Sequence, residues 1–203
     1  MPNILRPIAF VLAGLAVATA SLAAAQSAVA ANSNSSVSFA VTYSASGSNL
    51  VSSNRFWLEG GGAELATSTF HGLGVAASVV GLHTPNSGTG IPVNLVVTTF
   101  GPRYSWIAHR KSASRSIVLF AQGLAGEADG FRGLYPALLV PNTSSNSLAI
   151  QVGGGIDLGL THHLSLRLLQ ADWLRTQLPN STTNVQNNLR LAAGIVFHTN
   201  SRK

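Results

Sequence analysis

Between Leu148 and Leu160 the chain alternates without a break. Leu148, Ile150, Val152, Gly154, Ile156, Leu158 and Leu160 fall on one parity, and Ala149, Gln151, Gly153, Gly155, Asp157 and Gly159 on the other. Successive side chains of a strand point to opposite faces, so the run predicts a strand with one apolar face and one small or polar face. It is longer than an ordinary globular strand of about 5–6 residues. It suits a tilted strand crossing a bilayer, which needs about 9–11 residues. The apolar face would then meet lipid and the polar face an interior.

The same reading, carried along the chain, predicts strands over 37–45, 56–66, 72–82, 93–106, 116–127, 148–160, 164–175 and 188–198. The connections 46–54, 83–92, 128–146 and 177–187 are long and rich in turn-forming residues, those at 67–71 and 161–163 are tight, and 107–115 is intermediate and basic. Long connections at one end and short ones at the other mark an outer-membrane barrel. The expected fold is therefore all-β, an eight-stranded antiparallel up-and-down transmembrane β-barrel. Trp57, Tyr104, Trp106, Trp173 and Phe197 lie toward strand ends, where aromatic girdles of such barrels meet the membrane interfaces.

Composition sharpens this picture. Arg6, the apolar stretch 8–17 and the small residues after it read as a secretory signal peptide over 1–30, cleaved near 25 or 30. A short linker at 31–36, the barrel at 37–198 and a tail at 199–203 complete the expected organisation. The chain has no Cys, which removes disulfides, thiolate metal sites and a lipoprotein anchor. Only 9% of its residues are charged. An exported, weakly charged chain without a spanning helix can still enter lipid as a closed barrel, because closure satisfies every backbone group. The net charge of +6 does not indicate nucleic acid, since the basic residues do not interleave with aromatics along a groove.

The segments FGPRYSW (100–106), VGGGIDLGL (152–160), LSLRLLQADWLRTQ (164–177) and QNNLRLAAGIVF (186–197) resemble the outer membrane protein A-like family of eight-stranded barrels. The resemblance covers the whole mature chain and is nearest to stand-alone barrels lacking a peptidoglycan-binding domain. It implies a porin-like protein of the bacterial outer membrane. The implied partners are outer-membrane lipid and lipopolysaccharide, the barrel assembly machinery and periplasmic chaperones, and the expected state is a monomer. The final strand ends on an aromatic, as in that family, but here the chain runs on past Phe197 to Lys203.

Glu64, Arg103, Glu127, Asp157, Arg167, Asp172 and Arg190 all fall inside predicted strands. An Arg or Lys facing lipid at the midplane costs about 2–4 kcal/mol, so these seven are expected to face inward and pair. Arg167 and Asp172 have opposite parity, and both can point inward only across a bulge, for which 168–169 is the natural place. No cofactor or metal is expected. The His162–His163 pair has no carboxylate or second His at a recognisable ligand spacing. The glycine triplets at 60–62 and 153–155 lie within strands and lack the Lys and helix of a phosphate loop. The expected role is structural, surface-interacting or that of a narrow porin, and not enzymatic. Two alternatives remain: a soluble periplasmic lipocalin-like barrel, apolar inside and polar outside, and a lipid hydrolase using His83 and Ser87 at the outer rim.

Overall fold

The computed structural model describes residues 36–48, 55–69, 71–85, 92–108, 116–135, 142–180 and 184–199. The expected signal peptide, the linker up to 35 and the tail beyond 199 lie outside the described residues. Eight strands are present: β1 (Ser36–Ser48), β2 (Phe56–Ser68), β3 (Leu73–Thr84), β4 (Val93–Ala108), β5 (Ile117–Tyr135), β6 (Asn142–Gly159), β7 (Leu164–Thr176) and β8 (Gln186–His198). Each pairs antiparallel with its sequence neighbours, and β1 closes on β8. The closing register runs from Ser38 opposite His198 to Gly47 opposite Leu189. The chain is thus an up-and-down eight-stranded barrel, as its alternation predicts.

Two departures from the sequence reading have physical causes. The expected long connection at 128–146 is mostly strand, because β5 and β6 continue as a hairpin. Their pairing runs on through Ala128–Ser147 and Phe131–Ser144, then resumes at Tyr135–Asn142 after a register shift. Asp129, Gly130, Gly133 and the Ser/Asn-rich run at 142–147 read as turn chemistry in sequence, yet backbone pairing to a ready-made neighbour does not require apolar side chains. Arg132, at φ 55°, absorbs the irregularity. The second departure is Glu127, which was expected inside and lies exposed on the outward parity of β5. Unbroken alternation along β5, with Phe120, Gln122, Leu124 and Ala128 inward, turns it outward, and Asn146 Nδ2 donates to its Oε1 at 2.8 Å.

β7 contains the expected bulge. Leu168 and Leu169 both point outward, 48% and 47% exposed. The pairing with β8 skips from Arg167–Gly194 to Gln170–Ala192, and a matching shift appears against β6 between Ile156 and Asp157. A one-residue insertion of this kind reverses the parity of everything beyond it. Ser165 and Arg167 face inward below it, and Gln170, Asp172, Leu174 and Thr176 face inward above it.

The faces separate by chemistry. Outward stand Phe39, Val41, Tyr43, Val79, Phe100, Ile150, Val152, Leu189 and Ile195, all large and exposed. Inward the barrel is filled, as an eight-stranded barrel can be by side chains alone. Its long-connection half holds an apolar cluster that includes Phe56, Leu58, Leu82, Leu95, Leu174 and Leu178. Leu178 lies two residues beyond β7 yet is fully buried. The Gln186 amide holds it there, accepting from Leu178 N–H at 2.9 Å and donating to its carbonyl at 2.8 Å.

Deletion of Leu169 removes the extra residue and leaves Arg167 and Gln170 two positions apart, so plain alternation keeps Arg167, Gln170 and Asp172 inward. The deleted chain is expected to refold in detergent to a compact, heat-modifiable species. Loss of that species would show that the bulge does more than reconcile the parity of β7.

Candidate functional site

Toward the short-turn half the interior changes from apolar to ionic. Six of the seven charged residues expected inside meet there, contributed by β2, β4, β6, β7 and β8. Alternation brings each inward: Glu64 on the parity of Leu58 and Ala66, Arg103 on that of Leu95 and Val97, Asp157 on that of Gln151. The bulge adds Arg167 and Asp172 together. The exception is Glu127, described above.

Glu64 is the hub. Its Oε1 accepts from Arg103 Nη1 at 2.5 Å and from Arg167 Nη1 at 2.8 Å, while Gln122 Nε2 donates to Oε2 at 3.0 Å. Arg167 also grips Asp157 with two donors, Nε to Oδ1 at 2.8 Å and Nη2 to Oδ2 at 3.2 Å. Arg103 lies 3.7 Å from the same carboxylate. Charge-assisted, bidentate contacts of this kind are the strong class of hydrogen bond. Both guanidinium groups also stack over the Phe120 ring, with Arg103 Cζ 3.8 Å and Arg167 Cζ 4.5 Å from its centroid.

Gln170 links this group to a second pair higher in the barrel. Arg167 Nη1 donates to Gln170 Oε1 at 2.7 Å, and Gln170 Nε2 donates to Asp172 Oδ2 at 3.0 Å. Asp172 is paired with Arg190, whose Nη1 also donates to Ser44 Oγ at 3.4 Å. Arg103, Arg167 and Arg190 thus balance Glu64, Asp157 and Asp172 in number and sign. All six are nearly sealed from solvent, with Arg167 1% exposed. Burying charges is costly, and pairing with full hydrogen bonding is what makes it tolerable.

Glycine makes the space. A Cβ on Gly155 would stand 2.7 Å from the Phe120 ring and 2.6 Å from the Leu169 carbonyl oxygen. One on Gly153 would stand 2.3 Å from the Asp172 carboxylate. The glycine parity of β6 therefore lets the largest side chains of β5 and β7 cross the lumen.

Sequence reasoning missed Gln122, Gln170, Ser44 and Phe120. An uncharged side chain does not stand out in a strand, but parity would have found Gln170, which shares its face with Asp172; Gln122 has the parity opposite to Glu127, so the expectation that Glu127 faces inward turned it outward. Elsewhere, Thr99 Oγ1 donates to Gln151 Oε1 at 3.4 Å, and Ser165 Oγ lies 2.9 Å from His198 Nε2 near the short turns. Ser165 and His198 are both buried, 2% and 8% exposed, and the pair clasps β7 to β8 out of reach of any bulky substrate. His83 faces outward with Nδ1 2.9 Å from Asn94 Oδ1; Ser87 lies outside the described residues. Trp57, Tyr104, Trp106, Trp173 and Phe197 all face outward, between 43% and 58% exposed.

No protein-family model matches the chain, and no curated protein matches it significantly. Among solved structures it is similar to Ail, the attachment invasion locus protein of Yersinia pestis, at 12% identity and a TM-score of 0.48, covering 81% of this chain and 99% of that one. It is similar to Neisserial surface protein A at 15% identity and a TM-score of 0.47, covering 80% and 96%. It is similar to the outer membrane protein OprG from Pseudomonas aeruginosa at 10% identity and a TM-score of 0.45, covering 84% and 98%. These likenesses concern the fold alone.

Glu64→Gln keeps the shape but leaves Arg103 and Arg167 without their shared anion. Breaking a buried pair in this way costs about 3–5 kcal/mol. Urea unfolding of the protein refolded in lipid vesicles should show a loss of that size. A loss under about 1 kcal/mol, the range of exposed pairs, would mean that Glu64 is not the hub.

Proposed function

We propose that this chain spans a bacterial outer membrane as a barrel closed to solutes, in a structural or surface-interaction role. The observation that carries the reading is the outward face. Leu189, Leu191, Ala193, Ile195 and Phe197 form one lipid-facing row along β8, and comparable rows stand on the other strands. A soluble lipocalin-like barrel would carry polar residues there. Trp57 and Trp173 lie on one register row through Gly47 and Leu189, toward the long-connection end. Phe197 and Tyr104 stand near the other end, beside Leu164 and Leu73. From Leu189 to Phe197 the strand climbs about 27 Å, or roughly 20 Å of height at a tilt of ~40°. That approaches the apolar band of such barrels, about 25 Å tall between two aromatic girdles.

The lumen supports a plug rather than an open pore. It is blocked twice, by the apolar cluster around Leu178 at the long-connection end and by the Glu64–Arg103–Arg167–Asp157 cluster below. The long connections face outward from the cell in this orientation, which leaves them to make surface contacts, while lipid and lipopolysaccharide surround the wall. No residue of the interior network is accessible enough to act on a substrate, so the role we infer is not catalytic.

Two measurements follow. Val41→Arg, on the outward face midway along β1, should destabilise the vesicle-embedded barrel by about 2–4 kcal/mol, and Asn187→Arg at the rim by about 0–1; equal effects would contradict a bilayer around the wall. In planar bilayers the refolded protein should show no stable large conductance. A lasting large conductance would overturn the plug and favour the narrow-porin reading.

A further inference from the structure

β5 and β6 continue as a hairpin past the end of β7, and among the described residues no strand pairs with the other edge of β6 there. Residues 142–148 pair with β5 on one side. On the other side the pairing with β7 begins only at Ala149, opposite Thr176. Gln177 N–H reaches across to the Ser147 hydroxyl at 3.2 Å rather than to backbone. Open edges are ordinarily guarded by Lys, Pro, a bulge or an inward charge. Positions 143–147 read Thr-Ser-Ser-Asn-Ser and carry none of these.

The chemistry beside the edge is acidic. Glu127 and Asp129 occupy successive outward positions of β5, opposite Leu148 and Asn146. Among the described residues neither carboxylate forms an ion pair. A concavity of about 420 Å³ opens there, lined by Gly126, Glu127, Asn146, Ser147 and Leu148. A strand added beyond β6 would lie two strand spacings from β5, about 10 Å. Lys or Arg on its outward face is long enough to reach Glu127 across the Asn146 side chain; shorter side chains are not.

We propose that the 143–147 edge accepts an extended segment of a partner protein as an added strand, with its basic side chains directed at Glu127 and Asp129. Main-chain hydrogen bonds would supply the affinity and the alternate side chains the selectivity, as in other strand additions. The inference goes beyond the membrane role and does not depend on it, since the edge is present whatever surrounds the wall.

The test uses the full refolded chain in detergent micelles and a fluorescein-labelled heptapeptide, Lys-Thr-Val-Thr-Lys-Val-Thr, followed by fluorescence anisotropy. The same peptide with Glu in place of Lys should bind at least about tenfold more weakly. Two N-methylated forms, blocked on odd or on even backbone nitrogens, should differ: one loses binding and the other keeps it, because only one set of N–H groups faces the edge. Glu127→Gln should weaken the Lys peptide about two- to fivefold, as expected for an exposed charge pair, with heat-modifiable migration unchanged. No binding at millimolar peptide, equal binding of the Glu peptide, or equal behaviour of the two N-methylated forms would overturn the proposal. Peptide-resistant dimerisation through this edge in micelles would also overturn it, and would assign the edge to a second copy of the chain.

Discussion

Closure of the sheet is the constraint on which everything else depends. Once β1 pairs with β8 from Ser38–His198 to Gly47–Leu189, the wall has no free edge within its apolar band. A backbone can then stand in lipid, which offers no partner to an unpaired N–H or C=O. Closure also divides every strand into two populations that never exchange. Outward positions must suit the surroundings, and inward positions must fill a lumen only as wide as the side chains that line it.

That division explains why charges are so few and where they stand. An inward charge cannot escape to water, so it needs an opposite partner close by. Three arginines and three carboxylates meet this condition from five strands, with Gln122 and Gln170 adding hydrogen bonds between them, while Asp172 Oδ1 and Arg190 Nε are buried without a hydrogen-bond partner. Phe120 supplies a surface for two guanidinium groups, and Gly155 leaves the room for its ring. The bulge at Leu168–Leu169 lets one strand present Arg167 and Asp172 to the same lumen. The opposite half of the lumen solves the filling problem with apolar side chains and draws in Leu178 from beyond the strand. Where the hairpin of β5 and β6 outruns its neighbours the constraint lapses. Just below it, Glu127 and Asp129, still paired with Thr98 and Val96 of β4, face outward toward the long-connection end, without the cost they would carry at the midplane.

Much of this is legible in the sequence because a period of two leaves a mark wherever one face is apolar. The run 148–160 shows it plainly, and the inward set Gln151, Gly153, Gly155 and Asp157 follows directly from it. The bulge is legible too, since Arg167 and Asp172 have conflicting parity and the adjacent leucines resolve it. Three things are not legible. The hairpin extension is hidden because its residues are turn-forming types held in strand by backbone pairing. The outward placement of Glu127 is hidden because both parities of 117–124 carry apolar residues, so the alternation there does not say which face is inward. The apolar half of the lumen is hidden because Val93, Leu95 and Val97 face inward while Asn94 and Thr98 face outward, the reverse of the apolar-out pattern expected of such a wall.

The central claim, lipid outside and a sealed polar interior, is tested most directly by spin labels placed one at a time at Leu189, Leu191, Ala193, Ile195 and Phe197 in vesicle-embedded protein. Oxygen, which concentrates in hydrocarbon, should relax all five, most strongly at Ala193, and a water-soluble nickel chelate should reach only the ends of the row. Uniform access by the nickel chelate along the row would place that face in water and contradict the account.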